Sequence, residues 1–292
     1  MRGRGGGALL LMDRETTQLV PDTALGGGEQ IPQLGFGVFQ VAPAQTAEVV
    51  ATAVASGYRH IDTAAAYGNE AEVAQAVRDS GLRREEVFIT TKCANSDHGY
   101  EQAIRALEAS LGRLELEHVD LYLIHWPVPS SDLYVETWKA FIDLRSRGLA
   151  RTIGVSNFQP AHLERLIAET GQTPAINQVE LHPHLQQAGL RRLHQELGIV
   201  TEAWSPLAQG HVLEEPAILQ IAEAHSKSAA QIVIRWHLQL GNVVIPKSVT
   251  PERMAENFDV FDFQLSDPEM KTLEGLDQGR RIGPDPDTFV RQ

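Results

Sequence analysis

The stretch Ile104-Arg-Ala-Leu107-Glu-Ala-Ser-Leu111-Gly-Arg-Leu114-Glu-Leu-Glu-His-Val119-Asp-Leu-Tyr-Leu-Ile-His125 changes period in its middle. Ile104, Leu107, Leu111 and Leu114 fall at i, i+3, i+7 and i+10, the stripe of a helix that buries one face. Val119 to His125 then reads as a buried run of strand length. A helix laid against a sheet and followed by a strand is part of a strand-helix-strand unit, and chains built from such units make parallel sheets.

Outward in both directions the alternation continues, from about Ile31 to about Phe263. The other strand candidates are Leu34 to Phe39, Arg59 to Thr63, Val87 to Lys92, Thr152 to Ser156, Ala175 to Glu180, Ile199 to Trp204 and Val243 to Pro246, which brings the number to eight. Helices between them carry their own marks. Leu163, Leu166 and Ile167 repeat the stripe, Asn69 followed by Glu72 predicts a capping-box start, Pro160 suits a first helical position, and Gly148 and Gly171 predict helix ends. Ser205 to Asn242 is long enough for a loop and two helical pieces. Eight strand-helix units in roughly 250 residues fit a closed (β/α)8 TIM barrel of the α/β class better than an open doubly wound sheet. Gly26 to Gln33 is read as a β-hairpin plugging the barrel bottom and Asp267 to Leu276 as an appended C-terminal helix. This predicts a single barrel domain over residues 26–292, preceded by an extension without regular structure over 1–25, with Met12 as an alternative start.

The chain has 292 residues, 42% of them hydrophobic, which supplies a sizeable core. Its net charge of −13, from 25 Lys+Arg against 38 Asp+Glu, disfavours nucleic acid as a partner. The run Ala8 to Met12 is shorter than a signal peptide needs, and no stretch reaches the roughly 18 apolar residues of a membrane span. With Cys93 as the single cysteine, no internal disulfide can form, so a cytoplasmic protein without a membrane partner is expected.

Several chemistries are disfavoured by the same sequence. Gly3-Arg-Gly5-Gly-Gly-Ala8 satisfies a dinucleotide fingerprint as text, but no strand precedes it and no helix follows. His182-Pro-His184 lacks the further His or Cys ligands of a metal centre, so no metal is expected. The strand ends offer His125-Trp126 and Trp204-Ser205 where a glycosidase would place facing carboxylates. Cys93 has no neighbouring His to make it a nucleophile, and packing is its simpler role.

In a barrel, chemistry sits on the loops leaving the C-terminal strand ends. There the sequence places Asp62 and then Tyr67, Lys92, and His125. A phenol is too weak an acid for neutral pH, but an adjacent ammonium lowers its pKa and a carboxylate holds that ammonium in place. His125 would offer a second hydrogen bond to an oxygen gaining charge. Taken singly, each of these residues has an ordinary structural role; the combination is what points to catalysis.

Tyr58-Arg-His-Ile-Asp62-Thr-Ala-Ala-Ala-Tyr67-Gly-Asn-Glu70, Ile89-Thr-Thr-Lys92, Leu121-Tyr-Leu-Ile-His125-Trp-Pro127, Gly154-Val-Ser-Asn157-Phe and Ile245-Pro-Lys247-Ser together resemble the aldo-keto reductases, and within them the bacterial branch that includes 2,5-diketo-D-gluconate reductase. The resemblance runs from about Ile31 to Phe263. It implies a monomeric barrel that binds NADPH (NADP+) without a Rossmann fold and reduces a small-molecule aldehyde or ketone to an alcohol. Tyr67 would be the general acid, Lys92 and Asp62 its tuning pair, and His125 the residue that orients the carbonyl.

For the cofactor the resemblance implies Ser156, Asn157 and Gln178 at the nicotinamide carboxamide, whose donors and acceptors suit amide and hydroxyl side chains. Trp204 would stack on the nicotinamide ring, and Ser205 to Gln209, with Leu207, would run along the pyrophosphate. Lys247, Ser248, Val249, Thr250 and Arg253 surround a helix start where Thr250 is a candidate cap and free N–H groups meet an anion, the expected place for the 2′-phosphate. Glu256 and Asn257 match positions at the adenine end. Family members near this branch often carry Trp two residues after the lysine; Ala94 stands there, which predicts a wider pocket walled by Phe39 and Trp126. The short tail, with Arg280 and Arg281, leaves the choice among α-dicarbonyls, keto sugars and keto acids open. The alternative reading is a cofactor-binding redox-sensing or interaction module with only slow, promiscuous turnover.

Overall fold

The computed structural model describes residues 20–290. The Gly3–Ala8 fingerprint, the Ala8–Met12 run and Met12 itself lie outside the described residues. The barrel strands are β3 (Phe36–Gly37), β4 (His60–Asp62), β5 (Phe88–Cys93), β6 (Val119–Ile124), β7 (Ala150–Ser156), β8 (Ile176–Glu180), β9 (Val200–Trp204) and β10 (Val243–Val244), preceded by β1 (Asp22–Ala24) and β2 (Gln30–Pro32). Around them run α1 (Pro43–Ala55), α2 (Glu70–Asp79), α3 (Tyr100–Leu114), α4 (Tyr134–Ser146), α5 (Pro160–Thr170), α6 (Ala188–Leu197), α7 (Pro216–His225), α8 (Ala229–Gln239), α9 (Pro251–Phe258) and α10 (Asp267–Glu274).

All eight expected barrel strands are present, parallel and in sequential order from β3 to β10. The sheet closes on itself where Leu34 bridges Val244 and the Gly35 and Gly37 N–H groups donate to the carbonyls of Val244 and Pro246 at 2.9 and 3.1 Å. The first strand is shorter than the Leu34 to Phe39 reading, because Leu34 makes only the closing bridge. The hairpin begins earlier than expected: Asp22–Ala24 pairs antiparallel with Gln30–Pro32, so residues assigned to the extension are ordered strand.

Each helix explains its own place. In α3, Ala103, Leu107, Ser110, Leu111 and Leu114 are buried, and covering one such leucine contributes roughly 1.5–3 kcal/mol. Pro160 is the first residue of α5, Gly171 closes it with φ 67°, and α10 opens with a Ser266–Glu269 capping box. Asn69 does not cap as predicted. It stands at the start of α2, but its side chain accepts from Thr63 Oγ1 at 2.8 Å and donates to the Val38 carbonyl, tying the β3 and β4 loops together.

Alternation along the strands gives the barrel interior two ends. Below, Leu121, Leu123, Ile176 and Val243 form an apolar plug with Leu25 and Ile31 of the hairpin. Above, β4 presents His60 and Asp62, β5 Thr90 and Lys92, β8 Gln178 and β9 Glu202, all buried. No helix among the described residues is long and apolar enough to cross a membrane.

Candidate active site

The strand ends bring Asp62, Tyr67, Lys92 and His125 together. Lys92 is fully buried; its Nζ donates to Asp62 Oδ1 at 2.6 Å, to the Thr63 carbonyl at 2.9 Å and to the Tyr67 hydroxyl at 3.4 Å. Tyr67 reaches this position on a single helical turn, Ala65–Tyr67, closed by Gly68 in the left-handed region at φ 68°. The rings of Tyr67 and His125 meet edge to face at 5.6 Å.

The electrostatics differ from the expectation in one respect. Burial pushes the Tyr67 phenol above its ordinary value and outweighs the Lys92 ammonium, which pulls it down. Burial disfavours the ammonium of Lys92 too, but Asp62 and Tyr67 more than compensate, so Lys92 stays charged. His125 is lowered to about 3 by burial, by Lys92 and by His98, so it is a neutral imidazole at physiological pH.

Ser156, Asn157, Gln178 and Trp204 form one hydrogen-bonded set beside these four. Ser156 Oγ donates to the Gln178 carbonyl at 2.8 Å, Asn157 Nδ2 to the His125 carbonyl at 3.0 Å, Trp204 Nε1 to Asn157 Oδ1 at 2.9 Å, and Gln178 Nε2 to Asp62 Oδ2 at 2.8 Å. The backbone is left-handed at Asn157, Ser205, Ala208 and Gln209, strain concentrated on this rim. Leu207 packs partly against the core. Around the start of α9, Lys247, Val249 and Arg253 are exposed, Ser248, Thr250 and Glu256 are half-buried, and Asn257 is buried. Thr250 occupies the cap position without capping through its side chain; instead Ser248 Oγ accepts the Thr250 N–H at 3.1 Å.

Phe39 is 53% exposed, with its ring 5.0 Å from that of Tyr67. Trp126 is not the open wall expected. Phe289, from the C-terminal tail, lies 4.4 Å from its ring and covers it. That tail is held by Glu180, whose carboxylate accepts the Ile282 and Gly283 N–H groups at 2.6 and 2.9 Å and pairs with His182 at 3.0 Å. Burial raises Glu180, yet these donors prevail and hold it below the usual range. A Cβ at Gly283 would stand 2.4 Å from the Trp204 ring, so only glycine lets the tail lie against it. Arg281 faces the same carboxylate at 4.0 Å.

The other candidates have structural partners. His184 pairs with Glu215 at 2.7 Å, and no group of three metal-ligating side chains occurs among the described residues. Cys93 is buried, and burial pushes its thiol up to about 12, far from a reactive thiolate. Sequence reasoning missed Glu180, Glu202, His98 and Phe289. A lone carboxylate at an inward position of a strand was the available signal for Glu202; Phe289 left none, because its partner is distant in sequence.

The aldo/keto reductase family profile matches residues 33–278. The chain is 56% identical over 269 residues to an aldo-keto reductase of Mycobacterium sp. (strain KMS), covering 92% of this chain and 98% of that protein. It is 53% identical over 267 residues to the methylglyoxal reductase DkgA of Escherichia coli (strain K12), covering 91% and 96%. Among solved structures, a variant of Gox0644 in complex with NADPH superposes with a TM-score of 0.90 at 47% identity, covering 93% of this chain and 99% of that one. With the barrel, the rim cluster and these relatives in agreement, the chain belongs to the aldo/keto reductase family.

Proposed function

We propose that the protein is an NADPH-dependent carbonyl reductase that converts small polar aldehydes or ketones, such as α-dicarbonyls, keto sugars or keto acids, to alcohols. The observation that carries this reading is the buried contact of Lys92 with both Asp62 and Tyr67, beside a neutral His125. Such a cluster has a defined use: it gives a proton to an oxygen that is gaining negative charge.

The residues present fit the cofactor. Trp204 offers a flat, half-exposed ring. Lys247, in the loop before α9, and Arg253, in its first turn, are exposed without an acidic ion-pair partner among the described residues, where free N–H groups favour a phosphate. Ser156, Asn157 and Gln178 would hold the carboxamide, Ser205 and Leu207 the pyrophosphate stretch, Ser248, Val249 and Thr250 the 2′-phosphate with Lys247 and Arg253, and Glu256 and Asn257 the adenine end. When bound, NADPH supplies a hydride to the carbonyl carbon.

The protein's own residues do the rest. His125, neutral, donates one hydrogen bond to the carbonyl oxygen and fixes its direction. Tyr67 is protonated at neutral pH and gives its proton to that oxygen as charge develops there. Lys92 stabilises the phenolate left behind, and Asp62 keeps the ammonium charged and under the phenol. Phe39, together with the Phe289 that covers Trp126, shapes the apolar side of the pocket, with the small Ala94 leaving room beside Lys92.

NADPH consumption against a panel of aldehydes, α-dicarbonyls, keto sugars and keto acids tests the reading, with Tyr67→Phe alongside. The expected result is a clear preference within the panel that Tyr67→Phe lowers by at least about a thousandfold while NADPH still binds. Tight NADPH binding with no turnover on any member would favour a cofactor-binding sensor instead.

A further inference from the structure

The polar column beneath Tyr67 continues past Asp62. Glu202 lies on β9 at the same inward parity as Val200 and Trp204 and is fully buried. Neither of its oxygens has a hydrogen-bond partner of good geometry among the described residues. Its one ion-pair neighbour, His60 Nε2, stands off at 3.8 Å and is 3.0 Å from Thr90 Oγ1. His60 offers no countercharge, since burial and Lys92 lower it to about 3. A carboxylate so poorly served is costly in a barrel interior.

Its connection to the catalytic cluster runs through Gln178. Gln178 and Glu202 are register partners on neighbouring parallel strands and face the same side, and Gln178 Nε2 donates to Asp62 Oδ2 at 2.8 Å. The groups facing Glu202 are His60 and Asp62 from β4, Thr90 and Lys92 from β5, and Gln178 from β8, while its β10 register partner, Val243, is apolar. Gly35, ahead of β3, leaves the space His60 fills: a Cβ there would lie 2.4 Å from His60 Nδ1.

Resting on the reading of Tyr67 as the acid, we propose that Glu202 is a positioning residue for proton transfer. Protonated, it leaves the Gln178 amide to Asp62 and the Lys92 ammonium undivided beneath the phenol. Ionised, it competes with Asp62 for that amide and sets a negative charge under the ammonium, so that Tyr67 holds its proton more tightly. Burial and then Asp62 drive Glu202 up to about 8 against the opposing Gln178 and Lys92, which places the change within the working range of the enzyme. An ionised Glu202 acts in the same direction on both partners, raising Tyr67 and Lys92 alike.

The test is the pH dependence of kcat for NADPH-driven reduction of the best substrate in the panel, from pH 6 to about 11.5 so that the limb of a phenol held above its ordinary value is reached, for wild type, Glu202→Gln, Glu202→Asp and Tyr67→Phe. With no charge available at position 202, the alkaline limb of Glu202→Gln moves to lower pH by about one unit, the size of a charge–charge interaction in such an interior, and Glu202→Asp restores the wild-type position. A merely structural role would change thermal stability and leave the limb in place, so superposable wild-type and Glu202→Gln profiles overturn the proposal. If Glu202→Gln does not fold, the phenol titration of wild type, taken as its ultraviolet difference from Tyr67→Phe, decides: two coupled ionisations support the proposal and a single one refutes it. Retained turnover in Tyr67→Phe would bring down the acid assignment itself, whereas an inactive Tyr67→Phe with superposable profiles removes only the role of Glu202.

Discussion

The two ends of the barrel interior share strands β5, β8 and β9 and differ in almost everything else. On β5, Phe88 packs against the plug, and Lys92, four residues on at the same parity, sits under the Tyr67 phenol. On β8 and β9, Ile176 and Val200 lie below Gln178 and Glu202. The lower end is filled with aliphatic side chains and sealed by the hairpin. The upper end holds buried charge that is expensive to keep. The difference teaches that the fold is secured at one end so that the other can retain groups whose value is chemical.

If that division is right, damage at the two ends has opposite signatures. Tyr67→Phe should remove turnover without unfolding the protein. Ile31→Ala, in the plug, should do the reverse: a fully buried isoleucine truncated to alanine costs about 2–5 kcal/mol of stability. Denaturant unfolding should show that loss while kcat at 25 °C stays within about twofold of wild type. A parallel fall in kcat would mean that the two ends are mechanically coupled and the comparison is wrong.

Much of this division was legible in the sequence. Short apolar runs located the barrel strands and periodic stripes located α3 and α5, because burying one stripe against a sheet dictates spacing, while other helices were marked only by a Pro, a Gly or a cap. Asp62, Lys92 and His125 were readable because they stand at strand ends, and Tyr67 because it lies in the loop that follows one. What escaped was structure without a periodic signature. Asp22–Ala24 forms a strand through backbone pairing alone, and its sequence, Asp-Thr-Ala, carries no apolar alternation. Asn69 and Thr250 occupy cap positions, yet tertiary partners and a local turn took over what their side chains would have done. The tail contacts of Glu180 and Phe289 depend on which loops meet above the barrel, a matter of three-dimensional arrangement.

The phosphate end of the rim sharpens the comparison from outside the barrel. Arg253 is exposed and carries no structural load, so Arg253→Ala should leave stability unchanged. It should weaken NADPH by about 10- to 100-fold, the scale of a lost charge-assisted contact to phosphate, and weaken NADH by less than about threefold. Titration of both dinucleotides by intrinsic fluorescence measures this; equal weakening of the two would remove the 2′-phosphate from this site.

The smallest change expected is in turnover as the pH falls. His60 and His125 are both lowered to about 3 within the upper end, and His237 on the helical shell likewise, while His98 and His194 are lowered to about 4, burial leading in every case. A histidine depressed in the fold stabilises it fully above the unfolded pKa, near 6.5, and loses that contribution as pH drops toward the folded value. Glu202 works against this, because a carboxyl raised in the fold gains stability as pH falls from about 8. Five histidines outweigh one carboxyl, so Tm should decline by several degrees between pH 7 and pH 6. Over the same interval kcat for reduction should change by less than about twofold, since neither His125 nor Tyr67 alters its protonation there. A limb in kcat near pH 6.5 that coincides with the fall in Tm would show that His125 titrates like an exposed imidazole, and would remove the neutral hydrogen-bond donor from the mechanism.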